Sequence, residues 1–527
     1  MIYHCEDHTC NYWDEGEKLP ERCPQCGRKL LRANEADMTG DDWTALGNTL
    51  WDAEASDKKR MVDCFRKAAY LGSAWGVCNL GICMEQGNGV EADPVQAFWL
   101  YQQAVEMGSL NAVCCLGVCY QYGIGTAPDA KQAAELYCKA AEYGSPRGQM
   151  LLARAFHDGI GVEADAAEAV HWVRAAAYQR YGEGMHRLGV CYEYGDGVEQ
   201  NWERAVHWFR EAAESGVGVA MTDLGYCYEK GCGVEQSWEQ AFSWYRRGAE
   251  CGDPVSMCNL GLCYQMGYGV EQNWQEAIKW YEQGAQCGDL QSMHNLACCY
   301  EHGEGVEQNM TEAIRWYTAA AEGGNADDMY ELGWQYDHGE GVEQDMKKAI
   351  CWYERAAEQN HPAAMNSLGE CYAMGRGVPR DLETAMEWYR RAAELGEAMA
   401  DYNMGWHLEQ AGKLSEAYTH YRKAADGNDD SAWWALGRFY ENGVVVAQDG
   451  KEARRCYETG EKLGSVKCKM RLARCKLLGI GGRRAKKAGL DLCRQALELA
   501  KESSEKEDYG YEAEMNLLRR TIAENES

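Results

Sequence analysis

The chain has 527 residues, 26 of them cysteine, and a formal net charge of −30. A surface this acidic repels phosphate backbones and anionic lipids, which argues against nucleic acid or a membrane as the main partner. No stretch approaches the ~18 apolar residues of a membrane span. The N-terminal sequence MIYHCEDHTC lacks the basic and apolar regions of a secretory signal. These features together predict a cytoplasmic protein.

The first 33 residues contain two cysteine pairs, the second within the segment CPQCGRK. Two pairs of thiolates separated by a hairpin-sized stretch can supply the four soft ligands of a tetrahedral Zn²⁺ site. The second pair resembles a rubredoxin-type zinc knuckle, and residues 1–33 as a whole resemble a zinc ribbon. We therefore expect one structural zinc, with His8 as the alternative to one cysteine. The four predicted ligands are Cys5, Cys10, Cys23 and Cys26.

After a short polar linker the chain repeats one unit of 36 residues, shown most plainly by residues 220–255. Each copy carries a leucine, or once a methionine, that we call the signature residue and from which we count repeat positions. A fixed period in the range of about 20–50 residues is typical of a solenoid, because one such unit cannot bury its own apolar face. The signature residues are Leu46, Leu80, Leu116, Leu152, Leu188, Leu224, Leu260, Leu296, Leu332, Leu368, Met404, Leu436 and Leu472.

Each unit carries the apolar spacing of two helices. In the example unit, Leu224 lies on the apolar stripe of the first helix, and Trp244 and Tyr245 lie on that of the second. A G-x-G-V loop separates the two helices, because glycine accepts the positive φ that ends a helix. The second helix is expected to follow a residue whose side-chain oxygen caps it. The predicted N-cap residues are Asp57, Asp93, Asp129, Asp165, Asn201, Ser237, Asn273, Asn309, Asp345, Asp381 and Asp449.

The segment LGYCYEKGCGVEQSWEQAFSWYRRGAECGD and its copies resemble the Sel-one-like repeat family, a relative of the tetratricopeptide repeat. The resemblance implies an all-α fold, an α/α superhelical solenoid of antiparallel helix pairs over residues 41–488. A helical cap is expected over residues 489–527, and the zinc ribbon precedes the solenoid. The resemblance also implies a scaffold that binds a protein partner, with the first helices lining the concave side.

Cysteine recurs at position +3, which belongs to the predicted buried stripe of the first helix. Equivalent positions in stacked repeats lie farther apart than the ~7 Å between Cα atoms that a disulfide allows. We therefore expect these cysteines to be buried, reduced core residues. They are Cys83, Cys119, Cys191, Cys227, Cys263, Cys299, Cys371 and Cys475.

The sequence contains no P-loop, G-x-S-x-G, H-E-x-x-H or kinase motif, so we expect no enzyme activity. The G-x-G-V loops follow a helix instead of a strand and recur in most repeats, which indicates helix termination and not phosphate binding. Two alternatives stay open. One is an enzyme or envelope-remodelling factor with cell-wall or β-lactam-related chemistry, which some members of the family suggest. The other is a thiol- or metal-responsive regulatory module.

The best candidate for a binding surface is the side of each first helix opposite its buried stripe. At 100° per residue, positions −2 and +2 both point nearly opposite the signature residue. In the C-terminal half these positions carry aromatic residues where a solvated face would be polar. They predict a concave stripe that binds a protein or peptide of basic character. The alternative is that they fill the seam between neighbouring first helices. The residues are Tyr330, Trp334, Tyr402, Trp406 and Trp434.

The segment 467–487 carries lysine and arginine but no acidic residue. Charge patterning of this kind is found where a protein binds an anionic partner. The alternative is that the basic face pairs with the acidic segment that follows Glu498.

Overall fold

The computed structural model describes residues 2–5, 13–15, 30–33, 35, 38–51, 55–506 and 512–526. The chain forms two compact units, Met1–Cys287 and Gly288–Ser527. The first unit begins with the strands β1 (Ile2–Cys5), β2 (Trp13–Glu15) and β3 (Leu30–Ala33). They form an antiparallel sheet in the order β2–β1–β3, in which Cys5 pairs with Leu30.

The predicted zinc ligands Cys10, Cys23 and Cys26, and the alternative ligand His8, lie outside the described residues. Cys5 is described only through its backbone, as the last residue of β1. The zinc ribbon therefore stays a prediction.

Within the described residues, 27 α-helices follow the sheet and alternate as the first and second helices of consecutive repeats. The helices of the first unit are α1 (Gly40–Thr49), α2 (Ala55–Tyr70), α3 (Ala74–Gln86), α4 (Pro94–Glu106), α5 (Leu110–Tyr122), α6 (Ala130–Glu142), α7 (Pro146–Asp158), α8 (Ala166–Tyr178), α9 (Gly182–Tyr194), α10 (Trp202–Glu214), α11 (Gly218–Lys230), α12 (Trp238–Glu250), α13 (Pro254–Met266) and α14 (Trp274–Gln286). The helices of the second unit are α15 (Leu290–His302), α16 (Met310–Glu322), α17 (Ala326–His338), α18 (Met346–Glu358), α19 (Pro362–Met374), α20 (Leu382–Glu394), α21 (Ala398–Gln410), α22 (Leu414–Asp426), α23 (Asp430–Asn442), α24 (Gly450–Lys462), α25 (Val466–Leu478), α26 (Lys486–Lys506) and α27 (Glu512–Glu526).

Local chemistry determines where these helices begin and end. Ten of the eleven predicted N-caps are confirmed, as where Asp93 Oδ1 accepts a hydrogen bond from Gln96 N at 2.9 Å. The prediction for Asp57 is wrong, because α2 begins earlier, at Ala55. Arg180 and Asn360, which replace the glycine that ends most units, nevertheless keep a positive φ of 59° and 62°. The repeat geometry thus imposes the left-handed conformation even where no glycine is present.

The two helices of a repeat meet where a glycine at position +1 faces an aromatic ring. A Cβ added at Gly225 would lie only 2.6 Å from the ring of Tyr245. Tyr245 is 1% exposed, and its hydroxyl donates a hydrogen bond to Glu229 at 2.8 Å. The same close approach joins Gly81 to Tyr101, Gly117 to Tyr137, Gly189 to Phe209, Gly261 to Tyr281, Gly333 to Tyr353, Gly369 to Tyr389, Gly405 to Tyr421 and Gly437 to Tyr457.

Three repeats carry alanine at position +1 instead of glycine. Ala153 packs in one core cluster with Val173, and Ala473 packs in another with Cys493. In these two repeats the extra methyl group is matched by a smaller facing side chain. In the third of these repeats, Ala297 still faces a tyrosine, Tyr317.

The eight cysteines at position +3 are buried, which confirms the burial predicted from their position. None of these eight thiols forms a disulfide bond. Burial raises the pKa of the Cys83 thiol to about 11 and those of Cys227 and Cys263 to about 12. The thiols are therefore held in the protonated form.

The C-terminal end of the second unit continues the helix pairing. The two helices predicted after the repeats are α26 and α27, and α26 packs against α25 as a second helix does. Arg471, in the basic segment 467–487, binds Glu514 of α27 through Nε and Nη2, each 2.7 Å from a carboxylate oxygen. Arg474 binds Glu441. The pair with Glu514 supports the alternative in which the basic segment pairs with the acidic segment that follows Glu498.

We expect Gly225→Ala to destabilise the first unit, because the added methyl group displaces the ring of Tyr245. Overpacking of this kind costs about 1–3 kcal/mol. The double variant Gly225→Ala/Tyr245→Val recreates the Ala153–Val173 pair, so it should be more stable than the sum of the two single changes predicts. Urea denaturation followed by the circular dichroism of the helices measures both effects. Additive losses would show that the helices do not depend on this contact.

We also expect the stability to fall in alkali. The folded state raises the pKa of buried thiols such as Cys227 above the ordinary value of 9.0, to about 12. The stabilisation is complete below pH 9 and is lost as the pH rises through 9 towards 12, because the unfolded thiols then release protons that the folded thiols retain. The urea midpoint should decline steadily above about pH 9, and Cys227→Ala should make the decline shallower. A midpoint that stays constant up to about pH 11 would contradict this expectation.

Candidate functional site

The first helices of consecutive repeats pack against one another, as α5 does on α7 and α23 on α25. This packing separates positions −2 and +2, which were expected to share one exposed face. Position −2 is buried in the seam between neighbouring first helices, as Cys114, Asn366 and Met470 show. The expectation of exposure is therefore wrong for position −2. The two positions lie about 40° apart around the helix, and position −2 is the more buried of the two.

Three of the five predicted binding residues occupy position −2 and pack against other side chains. Tyr330 stacks on His361, with ring centroids 4.9 Å apart. Tyr402 lies 5.6 Å from the ring of Tyr421, and burial raises the pKa of Tyr402 to about 12. Trp434 packs beside two cations, with Arg438 4.6 Å and Lys467 5.3 Å from its ring centroid. The contacts of Tyr330 and Trp434 reach the next repeat and favour the alternative in which these aromatics fill the seam. Tyr402 packs instead on the second helix of its own repeat.

The other two predicted binding residues occupy position +2 and reach the surface. Trp406 is 38% exposed. Trp334 is half-buried and stacks on His338 of the same helix, with centroids 4.4 Å apart. We call the surface formed by position +2 of the second unit the first-helix surface. Its residues are Cys298, Trp334, Glu370, Trp406, Arg438 and Arg474.

The polar residues of the first-helix surface are engaged in hydrogen bonds. The carboxylate of Glu370 accepts from Asn403 Nδ2 at 3.1 Å. Arg438 donates from Nη2 to Glu409 at 2.9 Å. These bonds position the charged side chains that flank Trp406 along the array, while the tryptophan itself stays available for an apolar contact.

A polar network that no sequence motif predicted borders the same surface. His294 Nδ1 lies 2.7 Å from Asp328 Oδ1, and His294 Nε2 lies 3.5 Å from Cys298 Sγ. The i, i+4 spacing of His294 and Cys298 is visible in the sequence. Asp328 lies 34 residues beyond His294, so its place in the network depends on how the repeats stack.

The shortened loop after α21 opens a cleft of about 860 Å³ between α20, α21 and α22. In the preceding repeat, a Cβ added at the loop glycine Gly377 would lie 2.8 Å from the side chain of Met346, so that loop covers the start of α18. The connection between α21 and α22 has no such loop. Met386, Met404 and Leu408 therefore line an open cleft. The signature residues Met404 and Leu436 are 32 residues apart instead of 36, so the shorter loop is visible in the sequence, but the cleft is not.

Neither a metal centre nor a membrane span is found in the described part of the chain. There, no group of three or more His, Cys, Asp or Glu side chains is arranged to hold a metal ion. No helix in those ranges combines the length and apolar character needed to cross a bilayer.

Comparison with protein-family models matches the Sel1 repeat to eleven segments of the chain. The segments are 76–109, 112–145, 146–181, 182–217, 218–253, 254–289, 290–325, 326–361, 362–397, 398–429 and 432–465. Comparison with curated proteins gives no significant match.

Two solved structures are similar to this chain. One is c5321, a protective antigen of uropathogenic Escherichia coli with an SLR fold. It is 29% identical over 88% of this chain and 94% of its own, with a TM-score of 0.55. The other is a Sel1 repeat protein from Oxalobacter formigenes. It is 30% identical over 48% of this chain and 100% of its own, with a TM-score of 0.44.

Proposed function

Because the chain belongs to the Sel1 repeat family, whose members generally mediate protein–protein interactions, we propose that it is a non-enzymatic scaffold that binds a protein or peptide. The first-helix surface of the second unit is the proposed binding site. The observation that carries the proposal is that Trp334 and Trp406 stand at position +2, where no residue of the described repeats is fully buried. Buried tryptophan is among the residues that contribute most to binding energy in protein interfaces.

The proposed partner has basic character. The net charge of −30 creates a negative potential around the chain, and complementary charge mainly speeds the encounter of two proteins. Glu370, on the first-helix surface, supplies a carboxylate for such a partner. Added salt should therefore slow association more than it speeds dissociation.

The proposed compartment is the cytoplasm. Its support comes from the eight cysteines at position +3, none of which forms a disulfide bond. Proteins of oxidising compartments commonly use such residues in disulfides.

We expect Trp334→Ala/Trp406→Ala to abolish partner capture without lowering the melting temperature, because neither ring fills the seam. Immobilised wild-type chain captures binding proteins from native lysate, and mass spectrometry identifies those that the double variant loses. The identified partner is then titrated against each variant. Loss of one tryptophan from the centre of an interface should weaken binding by about 2 kcal/mol or more.

Tyr226→Ala is the matched control, since Tyr226 is an exposed aromatic at position +2 of the first unit. It should retain the partner. Tyr402→Ala should lower the melting temperature, because Tyr402 packs on Tyr421. Equal capture by wild type and the double tryptophan variant would refute the proposed surface.

We further propose that residues 1–33 bind one structural zinc through Cys5, Cys10, Cys23 and Cys26. The sheet register supports this assignment. Cys5 pairs with Leu30, which follows Cys26 by four residues in the sequence. The end of β1 therefore lies beside the strand that the second cysteine pair precedes. A segment this small gains much of its stability from a metal.

Elemental analysis should find one zinc per chain, and Cys23→Ser/Cys26→Ser should remove it. The helical circular dichroism should persist in that variant, because each repeat depends on its neighbours. Cys351→Ser, which changes an exposed cysteine of α18, is the control and should retain the metal. Stoichiometric zinc in the double serine variant, or no zinc in the wild type, would refute this site.

A further inference from the structure

Cys298, His294 and Asp328 form a chain of contacts across α15 and α17. The sulfur of Cys298 lies 3.5 Å from Nε2 of His294, and Nδ1 of the same ring lies 2.7 Å from Oδ1 of Asp328. A nucleophile in contact with a base that a third group orients is the arrangement by which proteins activate a thiol. The three residues come from two repeats, so the stacking of the second unit assembles the group.

The environment of Asp328 keeps the histidine protonated. Asp328 is completely buried, and its second oxygen, Oδ2, has no hydrogen-bond partner in the described part of the chain. The hydrogen bond to Asp328, followed by the contact with Cys298, raises the pKa of His294 to about 10. Glu331, which lies on α17 with Asp328, adds a further negative charge near the ring of His294. An imidazolium therefore faces the sulfur at neutral pH.

Two more groups face the sulfur. The hydroxyl of Tyr317, on α16, lies 3.4 Å from Sγ of Cys298. That hydroxyl donates a hydrogen bond to Glu301 of α15 at 2.6 Å. The carboxylate of Glu301 thus orients the hydroxyl of Tyr317. The sulfur of Cys298 therefore contacts two polar groups, the His294 ring and the Tyr317 hydroxyl.

The other described cysteines lack this combination of access and activation. The thiols at position +3 are buried, and burial raises their pKa, as for Cys299 to about 12. Cys251, Cys287 and Cys351 are exposed, but no histidine contact is found for them within the described ranges. Cys298 is half-buried at position +2, on the first-helix surface. Thiols beside a protonated histidine and open to solvent are the reactive ones in proteins.

We propose that Cys298 is a nucleophilic thiol that forms mixed disulfides with low-molecular-weight disulfides of the glutathione class. The thiol releases its proton to water beside the imidazolium of His294, whose positive charge stabilises the thiolate that forms. The sulfur attacks one sulfur of the small disulfide, a new S–S bond forms and the old one breaks. The departing thiolate takes a proton from water. The exchange conserves electrons, because the small disulfide is reduced as Cys298 is oxidised.

Pulse labelling with iodoacetamide at pH 7, read by peptide mass spectrometry, tests the proposal on the full chain. Cys298 should react at least about tenfold faster than Cys351, although Cys351 is more exposed. His294→Gln should slow Cys298 at least about fivefold and leave the rate of Cys351 unchanged. Incubation with glutathione disulfide should add one glutathione per chain first at Cys298, and Cys298→Ser should prevent that addition.

His302→Gln is the matched control. His302 lies one turn after Cys298 on α15. Its Nδ1 lies 3.0 Å from the backbone carbonyl oxygen of Cys298 and does not contact the sulfur through any bond described for it. It should leave the rate at Cys298 unchanged. A wild-type rate at Cys298 equal to or below that at Cys351 would overturn the proposal, whatever the variants do. An equal loss of rate in His294→Gln and His302→Gln would also overturn it, because the effect would then lie in the helix and not in the histidine contact.

Discussion

The close approach of an aromatic ring to a glycine backbone is the contact on which the rest of this structure depends. With no side chain at Gly225, the ring of Tyr245 lies directly against α11, and the tyrosine hydroxyl reaches Glu229 one turn away. This contact determines how the first helix is rotated about its axis. With position +1 buried against the second helix, position −2 is buried or half-buried and position +2 is the most exposed of the three.

The seam at position −2 explains why such different residues occur at one repeat position. The pairs His186 with Asp223, at 2.6 Å, and Asn366 with Asn403, at 3.0 Å, join neighbouring first helices through polar groups. Tyr330 does so by stacking on His361, which caps the first helix of the next repeat. Each pair satisfies its own groups, because buried polar atoms are stable only when they are hydrogen-bonded. Position +2 therefore remains available to bind a partner, and in the second unit it carries Trp334 and Trp406.

The cysteines at positions +2 and +3 show how the position in the repeat determines the surroundings of a thiol. At position +3 the thiol is surrounded by apolar side chains, and burial raises the pKa of Cys299 to about 12. One residue earlier, at position +2, Cys298 meets the ring of His294. Adjacent residues of one helix thus have opposite surroundings, one suited to packing and the other to reaction.

The sequence alone was enough to determine the period, the helix pairs, ten of the N-caps and the burial of the cysteines at position +3. These features depend on groups close together in the chain, so a 36-residue window contains their causes. The ring contacts of Tyr330 and Tyr402, the ion pair between Arg471 and Glu514, and the contact of His294 with Asp328 were decided only by tertiary structure. Each joins groups 19 to 43 residues apart, or depends on a neighbouring helix. Such contacts follow from the angle at which one repeat stacks on the next, and that angle is a property of the packed array instead of any single unit.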